Sequence, residues 1–301
     1  MAARIARFID CATLAPRLAA GSCSLLDATW APPGISGRPQ FNARRLPGAL
    51  FFDVDEVADP ATSLPHMLPS AADFSRHMSA LRVTKARTVV VYDAHGLLAA
   101  GRAAFTLAAF GHPDVRILLG GLPRWLEEGL PLEEGAPPPP PGAPLPEEPW
   151  DLDPSMVAGL EEVRAVSAAS AGARVAPEAP LIVDARGAAR FLGEAPEPRP
   201  GLLCGHIPGS RNVPFPSVQV PGYGPLLGAR DLAGVLRAAG VDPARPGRII
   251  LSCGSGVTAP IVWLALVAAG REGGVAVYDG SFAEWGLLEG GNPVAKGPAA
   301  A

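Results

Sequence analysis

The 301-residue chain is short of cysteine, of charge and of long apolar runs, and each shortage excludes a class of protein. Its four cysteines, Cys11, Cys23, Cys204 and Cys253, lie far apart with no C-x-x-C pair. That argues against a structural zinc site and against a disulfide framework. It suits a reducing compartment, and a cytoplasmic or mitochondrial location is expected. The longest apolar stretch, Val257 to Ala269, falls short of the about twenty residues that cross a bilayer. It reads as a buried helix, and no membrane partner is expected. Charged residues make up 18% of the chain, the net charge is -4, and Lys and Arg form no runs, so no footprint for nucleic acid is present. The expected partner is a small molecule. Residues Met1 to Phe8 hold Arg4 and Arg7 with no acid before Asp10, in the manner of a transit peptide, but they are too few to establish one, and no secretory signal is visible.

What is abundant is apolar material, 48% of residues, enough for large buried cores. The chain also repeats itself. At an offset of 160 residues, Val89-Val90-Val91-Tyr92-Asp93 aligns with Ile249-Ile250-Leu251-Ser252-Cys253, and Gly120 to Trp125 aligns with Gly280 to Trp285. Nearby offsets pair Leu25 to Thr29 with Ile182 to Arg186, and Leu46 to Ala49 with Ile207 to Ser210. A period this long means duplicated domains rather than a solenoid. Two domains are therefore expected, at 1–129 and 153–301. The stretch 130–152 between them, with prolines at 137 to 141, 144, 146 and 149, reads as a stiff linker. Within each copy, short β-branched and leucine-rich runs alternate with helical patterns, which predicts α/β domains, each a parallel sheet covered by helices on both faces. Strands are predicted at 24–27, 88–92, 115–119, 181–184, 248–252 and 275–278, and helices at 101–110, 228–239, 258–269 and 281–287. Sites in such domains lie at the carboxyl ends of strands.

Cys253 falls at such an end, in Ser252-Cys253-Gly254-Ser255-Gly256-Val257-Thr258-Ala259. A strand entering a glycine-rich loop and then a helix leaves several amides unpaired, with the positive end of the helix dipole behind them. Such a ring of N–H groups stabilises a thiolate, the nucleophilic form. Asp93 occupies the same place in the first copy, so only the second copy has the nucleophile and the first serves to build the cleft. A phosphatase would need arginine six residues after the cysteine, where Ala259 stands.

Taken together, these segments resemble the tandem rhodanese-domain sulfurtransferases, and most closely their 3-mercaptopyruvate branch. The resemblance is carried by Leu26 to Trp30, Phe51 to Asp55, His66 to Pro69, Phe110 to His112, Val183 to Arg186, Pro196 to Arg199, Gly205 to Gly209, the Cys253 loop and Tyr278 to Gly280. It implies that Cys253 takes a sulfur from a small donor as a persulfide and passes it to cyanide or a thiol such as that of thioredoxin. It implies no metal and no organic cofactor. Thiosulfate-using members carry Arg and Lys directly after the cysteine, and the neutral Gly254 and Ser255 match the mercaptopyruvate type instead. Arg190 and Arg199 match the family's substrate-binding arginines, with Gly254, Gly256, Val257 and Thr258 completing the loop around the donor. Thr258 is also expected to cap the following helix. Ser255, His66 and Asp55 match a proton-relay triad of the mercaptopyruvate enzymes, which places the site across the domain interface. His206, Trp263 and Trp285 read as structural, and Asp184 with Arg186 as a strand-end salt bridge. The alternatives are a thiosulfate sulfurtransferase and a non-catalytic sulfur-carrier or adaptor module.

Overall fold

The computed structural model describes residues 7–31, 35–138, 143–170 and 176–299. Most of the arginine-bearing amino terminus and prolines 139–141 of the proline-rich stretch lie outside the described residues. Five parallel strands build the first half: β1 (Arg7–Ile9), β2 (Cys23–Asp27), β3 (Leu50–Phe51), β4 (Thr88–Tyr92) and β5 (Val115–Leu118), in the order β1-β5-β4-β2-β3. The second half repeats this with β6 (Val157–Ala158), β7 (Leu181–Asp184), β8 (Arg211–Asn212), β9 (Ile249–Ser252) and β10 (Val275–Tyr278), in the order β6-β10-β9-β7-β8. The register repeats as well: Val89 lies opposite Val115 as Ile249 lies opposite Val275.

Parallel strands need crossovers, and here they are helical. The first half has α1 (Cys11–Ala19), α2 (Arg38–Ala43), α3 (Ala71–Ala80), α4 (Ala100–Ala109) and α5 (Gly121–Glu127). The second has α6 (Leu160–Ser170), α7 (Ala188–Leu192), α8 (Ala229–Ala238), α9 (Ala259–Ala268) and α10 (Ser281–Trp285). The predicted strands and helices agree with these to within two residues. The sequence missed β3, β6 and β8 because a two-residue edge strand carries no alternation to read, and β1, at three residues, carries little more. It missed α1, α2, α3, α5, α6 and α7; of these, α1 and α3 start at side-chain caps, where Asp10 accepts from the Thr13 N–H at 2.8 Å and Ser70 from the Asp73 N–H at 3.1 Å.

Strand periodicity divides the core into three. Alternate strand residues Leu26, Val89, Val91, Val183, Ile249 and Leu251 face one cluster common to both halves, filled by α3, α4, α8 and α9. The opposite faces, Leu25, Val90 and Tyr92 in one half and Ile182, Ile250 and Ala276 in the other, form separate outer clusters under α1, α2 and α5 and under α6 and α10. Helix α9 is buried from Ala259 to Leu266 because it packs between its own sheet and the other half. Gly101 of α4 comes close to it, where an added Cβ would stand 3.4 Å from Ile261. Phe105 and Trp263 meet edge to face with centroids 5.5 Å apart, worth about 0.5–1.5 kcal/mol beyond the area they bury. A continuous apolar core of this kind holds the halves together, so loops from both can share one site.

Described parts of the proline-rich stretch lie against the first half. Leu145 and Ala143 offer carbonyls to Ser79 and Arg82, and Trp150 stands edge-on to Phe74 with centroids 5.2 Å apart. Among the described residues no helix is long and apolar enough to cross a membrane.

Candidate active site

Cys253 directly follows β9 and is 1% exposed. Its loop is pinned to α10: the Cys253 carbonyl accepts from the Phe282 N–H at 3.0 Å and the Gly254 carbonyl from the Ala283 N–H at 2.8 Å. The first half makes the same contact 160 residues earlier, where the Asp93 carbonyl accepts from the Leu122 N–H at 3.0 Å. Asp93 therefore shows what this loop shape holds. Its carboxylate accepts from the N–H groups of His95 (2.9 Å) and Gly96 (2.8 Å) through Oδ1, and of Leu98 (2.7 Å), Ala99 (3.0 Å) and Ala100 (2.9 Å) through Oδ2. The loop is an anion cradle, and in the first half it is filled by its own side chain.

The same offset carries these donors to Ser255, Gly256, Thr258, Ala259 and Pro260. Proline has no N–H, so four remain. Among the described residues the amides of Ser255, Gly256, Thr258 and Ala259 find no acceptor. Around Cys253 the cradle is thus available to an anionic sulfur or to charge developing on a bound donor.

A cavity of about 340 Å³ opens beside the loop. Gly254, Ser255, Val257 and Thr258 line it from the second half, with Arg190 and Arg199; Trp30, His95 and Leu98 line it from the first. Gly256 does not. Its backbone has φ +78°, and its carbonyl turns to the buried Arg102 instead, at 3.4 Å. Thr258 stands at the N-cap of α9 but makes no side-chain capping hydrogen bond, because its ψ of -17° is helical rather than the extended value that aims a cap side chain at the helix amides.

Ser255, His66 and Asp55 come together as a chain. His66 Nδ1 lies 3.0 Å from Ser255 Oγ, and Nε2 lies 2.8 Å from Asp55 Oδ1. A carboxylate only accepts, so Nε2 carries a proton; Nδ1 faces the Ser255 hydroxyl and, at 3.1 Å, the Ser255 carbonyl, so it accepts from the hydroxyl when unprotonated and donates to these oxygens when protonated. The His66 hydrogen bond holds the Asp55 carboxyl below its usual range, against burial, which raises it. His66 is buried, while Asp55 is half exposed at its side chain. Ser255 is the member of the three that lines the cavity.

The arginines are not equivalent. Arg190 is ion-paired with Glu197, which also holds Arg186 at 2.8 Å, and Arg186 pairs with Asp184 at 2.6 Å. Among the described residues no hydrogen bond or ion pair engages Arg199. Burial pulls its guanidinium below the usual arginine range, with the Cys253 sulfur and the Asp55 carboxylate pulling the other way. Arg186 and Arg190 are thus matched by Asp184 and Glu197, whereas the Arg199 guanidinium has no ion-pair partner among the described residues and is suited to receive a carboxylate from a ligand. Sequence reasoning did not foresee Glu197 as the partner of two arginines. The signal was an acid between two prolines, which by pattern reads as solvated loop.

The readings of His206 and the tryptophans as structural agree with their surroundings. His206 Nδ1 is 2.8 Å from the Phe191 carbonyl, and Trp285 Nε1 donates to the Pro293 carbonyl at 2.8 Å. Among the described residues no group of three or more His, Cys, Asp or Glu could hold a metal ion.

Two parallel α/β domains, one with its amide cradle closed by Asp93 and the other with Cys253 beside unpaired amides, define the architecture that known proteins can be compared with. The model of the rhodanese-like domain matches residues 12–128 and 167–287, and the chain belongs to the rhodanese-like family. Within it, the chain is 38% identical over 284 residues to the 3-mercaptopyruvate sulfurtransferase of Escherichia coli, covering 93% of this chain and 94% of that one. It is 39% identical over 265 residues to the probable 3-mercaptopyruvate sulfurtransferase of Schizosaccharomyces pombe, covering 87% and 86%. The crystal structure of SseA from Escherichia coli superposes with a TM-score of 0.76 at 35% identity, over 92% of this chain and 98% of that one.

Proposed function

We propose that the protein is a sulfurtransferase that moves sulfur from 3-mercaptopyruvate through a Cys253 persulfide to an acceptor, releasing pyruvate. The observation that carries this reading is the unfilled amide cradle around Cys253, seen beside a twin that holds a carboxylate with five N–H groups. Arg199, with Arg190 beside it, binds the donor carboxylate in the cavity. The Cys253 thiolate attacks the donor sulfur; an S–S bond forms, the donor C–S bond breaks, and the electron pair leaves on carbon as the pyruvate enolate. The Ser255 hydroxyl passes a proton to that carbon, and His66, held at Nε2 by Asp55 and protonated at Nδ1, replaces it; the thiol proton of the donor, released from the persulfide, restores the histidine. An acceptor thiolate then attacks the outer sulfur and restores the Cys253 thiolate. Thioredoxin, a small thiol and cyanide are the acceptors of this reading. Four free cysteines support a reducing compartment, cytoplasmic or mitochondrial.

The neutral Gly254 and Ser255, in place of cations, support mercaptopyruvate over thiosulfate. Purified protein given each donor in turn, with cyanide as acceptor, tests this: greater turnover of mercaptopyruvate is expected, and equal or greater turnover of thiosulfate would overturn it. Mass analysis of donor-treated protein is expected to find one added sulfur on Cys253.

A further inference from the structure

Arg102 of α4 and Asp279 after β10 form a buried ion pair at 2.9 Å, side chains 3% and 7% exposed, that joins the two halves directly behind the Cys253 loop. Neither lines the cavity. Their other side-chain bonds all go to backbone near the Ser255–His66 contact. Arg102 Nη2 also donates to the His66 carbonyl, Arg102 Nη1 donates to the Gly256 carbonyl at 3.4 Å, and Asp279 Oδ2 accepts from the Leu68 N–H at 2.6 Å. The pair therefore grips the backbone on both sides of Met67 in one half and the residue after Ser255 in the other. His66 needs such a grip, because its φ of +62° is unfavourable for a residue with a Cβ. Gly256 is shaped for it: a Cβ there would stand 2.9 Å from Arg102 Nη1. A buried ion pair is weak evidence for stability, since desolvation offsets the attraction, so the informative feature is its placement, holding backbone of both halves beside the Ser255–His66 contact.

We propose that Arg102 and Asp279 are positioning residues that set the register of His66 against Ser255 across the domain interface. The planar guanidinium reaches a carbonyl from each half and a carboxylate at once, which a point charge on a flexible stem would not do. This inference rests on Ser255–His66–Asp55 acting in sulfur transfer. The test is a pair of double-mutant cycles, Arg102→Gln with His66→Ala and the nearly isosteric Asp279→Asn with His66→Ala, read as kcat and KM for 3-mercaptopyruvate. A displacement of about 1 Å can cost on the order of 100-fold. Each single positioning variant is expected to lose roughly tenfold or more in kcat, with KM within about twofold, and to cost less than about twofold once His66 is alanine. If the full loss persists in the His66→Ala background, the pair acts on the fold alone and the inference is overturned. If His66→Ala itself leaves kcat unchanged, the relay fails first, a separate result read from that single variant. Asp279→Asn keeps size and shape, so the second cycle decides the matter if Arg102→Gln does not fold.

Discussion

Replacing Asp93 by Asn tests the claim that the first-half loop is an anion cradle holding its own ligand. Asp93 is fully buried, and its two oxygens accept five backbone hydrogen bonds, two on Oδ1 and three on Oδ2. Asparagine offers one oxygen and one NH2 group. In the better orientation the NH2 faces the amides of His95 and Gly96, and two buried donors lose their acceptor. Each such loss costs about 1–3 kcal/mol, and the three surviving bonds lose charge assistance of up to about 1 kcal/mol each. Loop relaxation and entering water return part of this, and a net loss of about 3–5 kcal/mol is expected against a typical stability of about 5–15 kcal/mol. Urea unfolding followed by circular dichroism, analysed with a common m-value for parent and variant, measures it. A loss below about 1 kcal/mol would refute the cradle.

The mirror change, Cys253→Asp, is expected to abolish turnover while raising stability by about 1–3 kcal/mol, as four charge-assisted bonds outweigh carboxylate burial; a variant less stable than the parent in the same assay would contradict this. Burial pushes the Asp27 carboxyl up to about 6, so between pH 4 and 6 the folded chain binds more protons than the unfolded one and stability falls as pH rises. Relative to Asp27→Asn, the parent is expected to lose about 2 kcal/mol from pH 4 to 7, and parallel pH profiles for the two would sink the assignment. Burial, with Glu128 nearby, raises the Cys11 thiol to about 11, and burial also raises Cys23. Iodoacetamide at pH 8 is expected to label Cys253 and Cys204 and to spare these two, read by peptide mass mapping, and labelling of Cys11 at the rate of Cys253 would show the reasoning wrong.

The halves were legible because a strand buried on both faces leaves an uninterrupted apolar run. Val89 to Tyr92 and Ile249 to Leu251 announce β4 and β9, and their shared offset announces the duplication. The edge strands were not legible, since Leu50–Phe51 and Arg211–Asn212 are two residues each and owe their existence to neighbours already in place. In the site, Cys253, Ser255 and the glycines were readable because they lie together in one loop. Glu197, Arg102 and Asp279 were not, because each takes its meaning from a partner distant in sequence or from a bend that brings it near. Gly256 illustrates the limit: its glycine-rich setting was evident, but only the packed chain turns its carbonyl toward Arg102 rather than into the cavity.

By itself, then, the chain determined two parallel α/β units, a cysteine at a strand end and an aspartate in its twin's place, because these follow from local periodicity and loop composition. Tertiary structure alone decided that α4 and α9 share a core, that Arg102 and Asp279 hold the backbone beside His66 and Ser255 from both halves, and that Glu197 pairs with Arg186 and Arg190 while Arg199 has no such partner among the described residues. Contacts of this kind depend on where distant segments come to rest, and one-dimensional patterns carry no record of that.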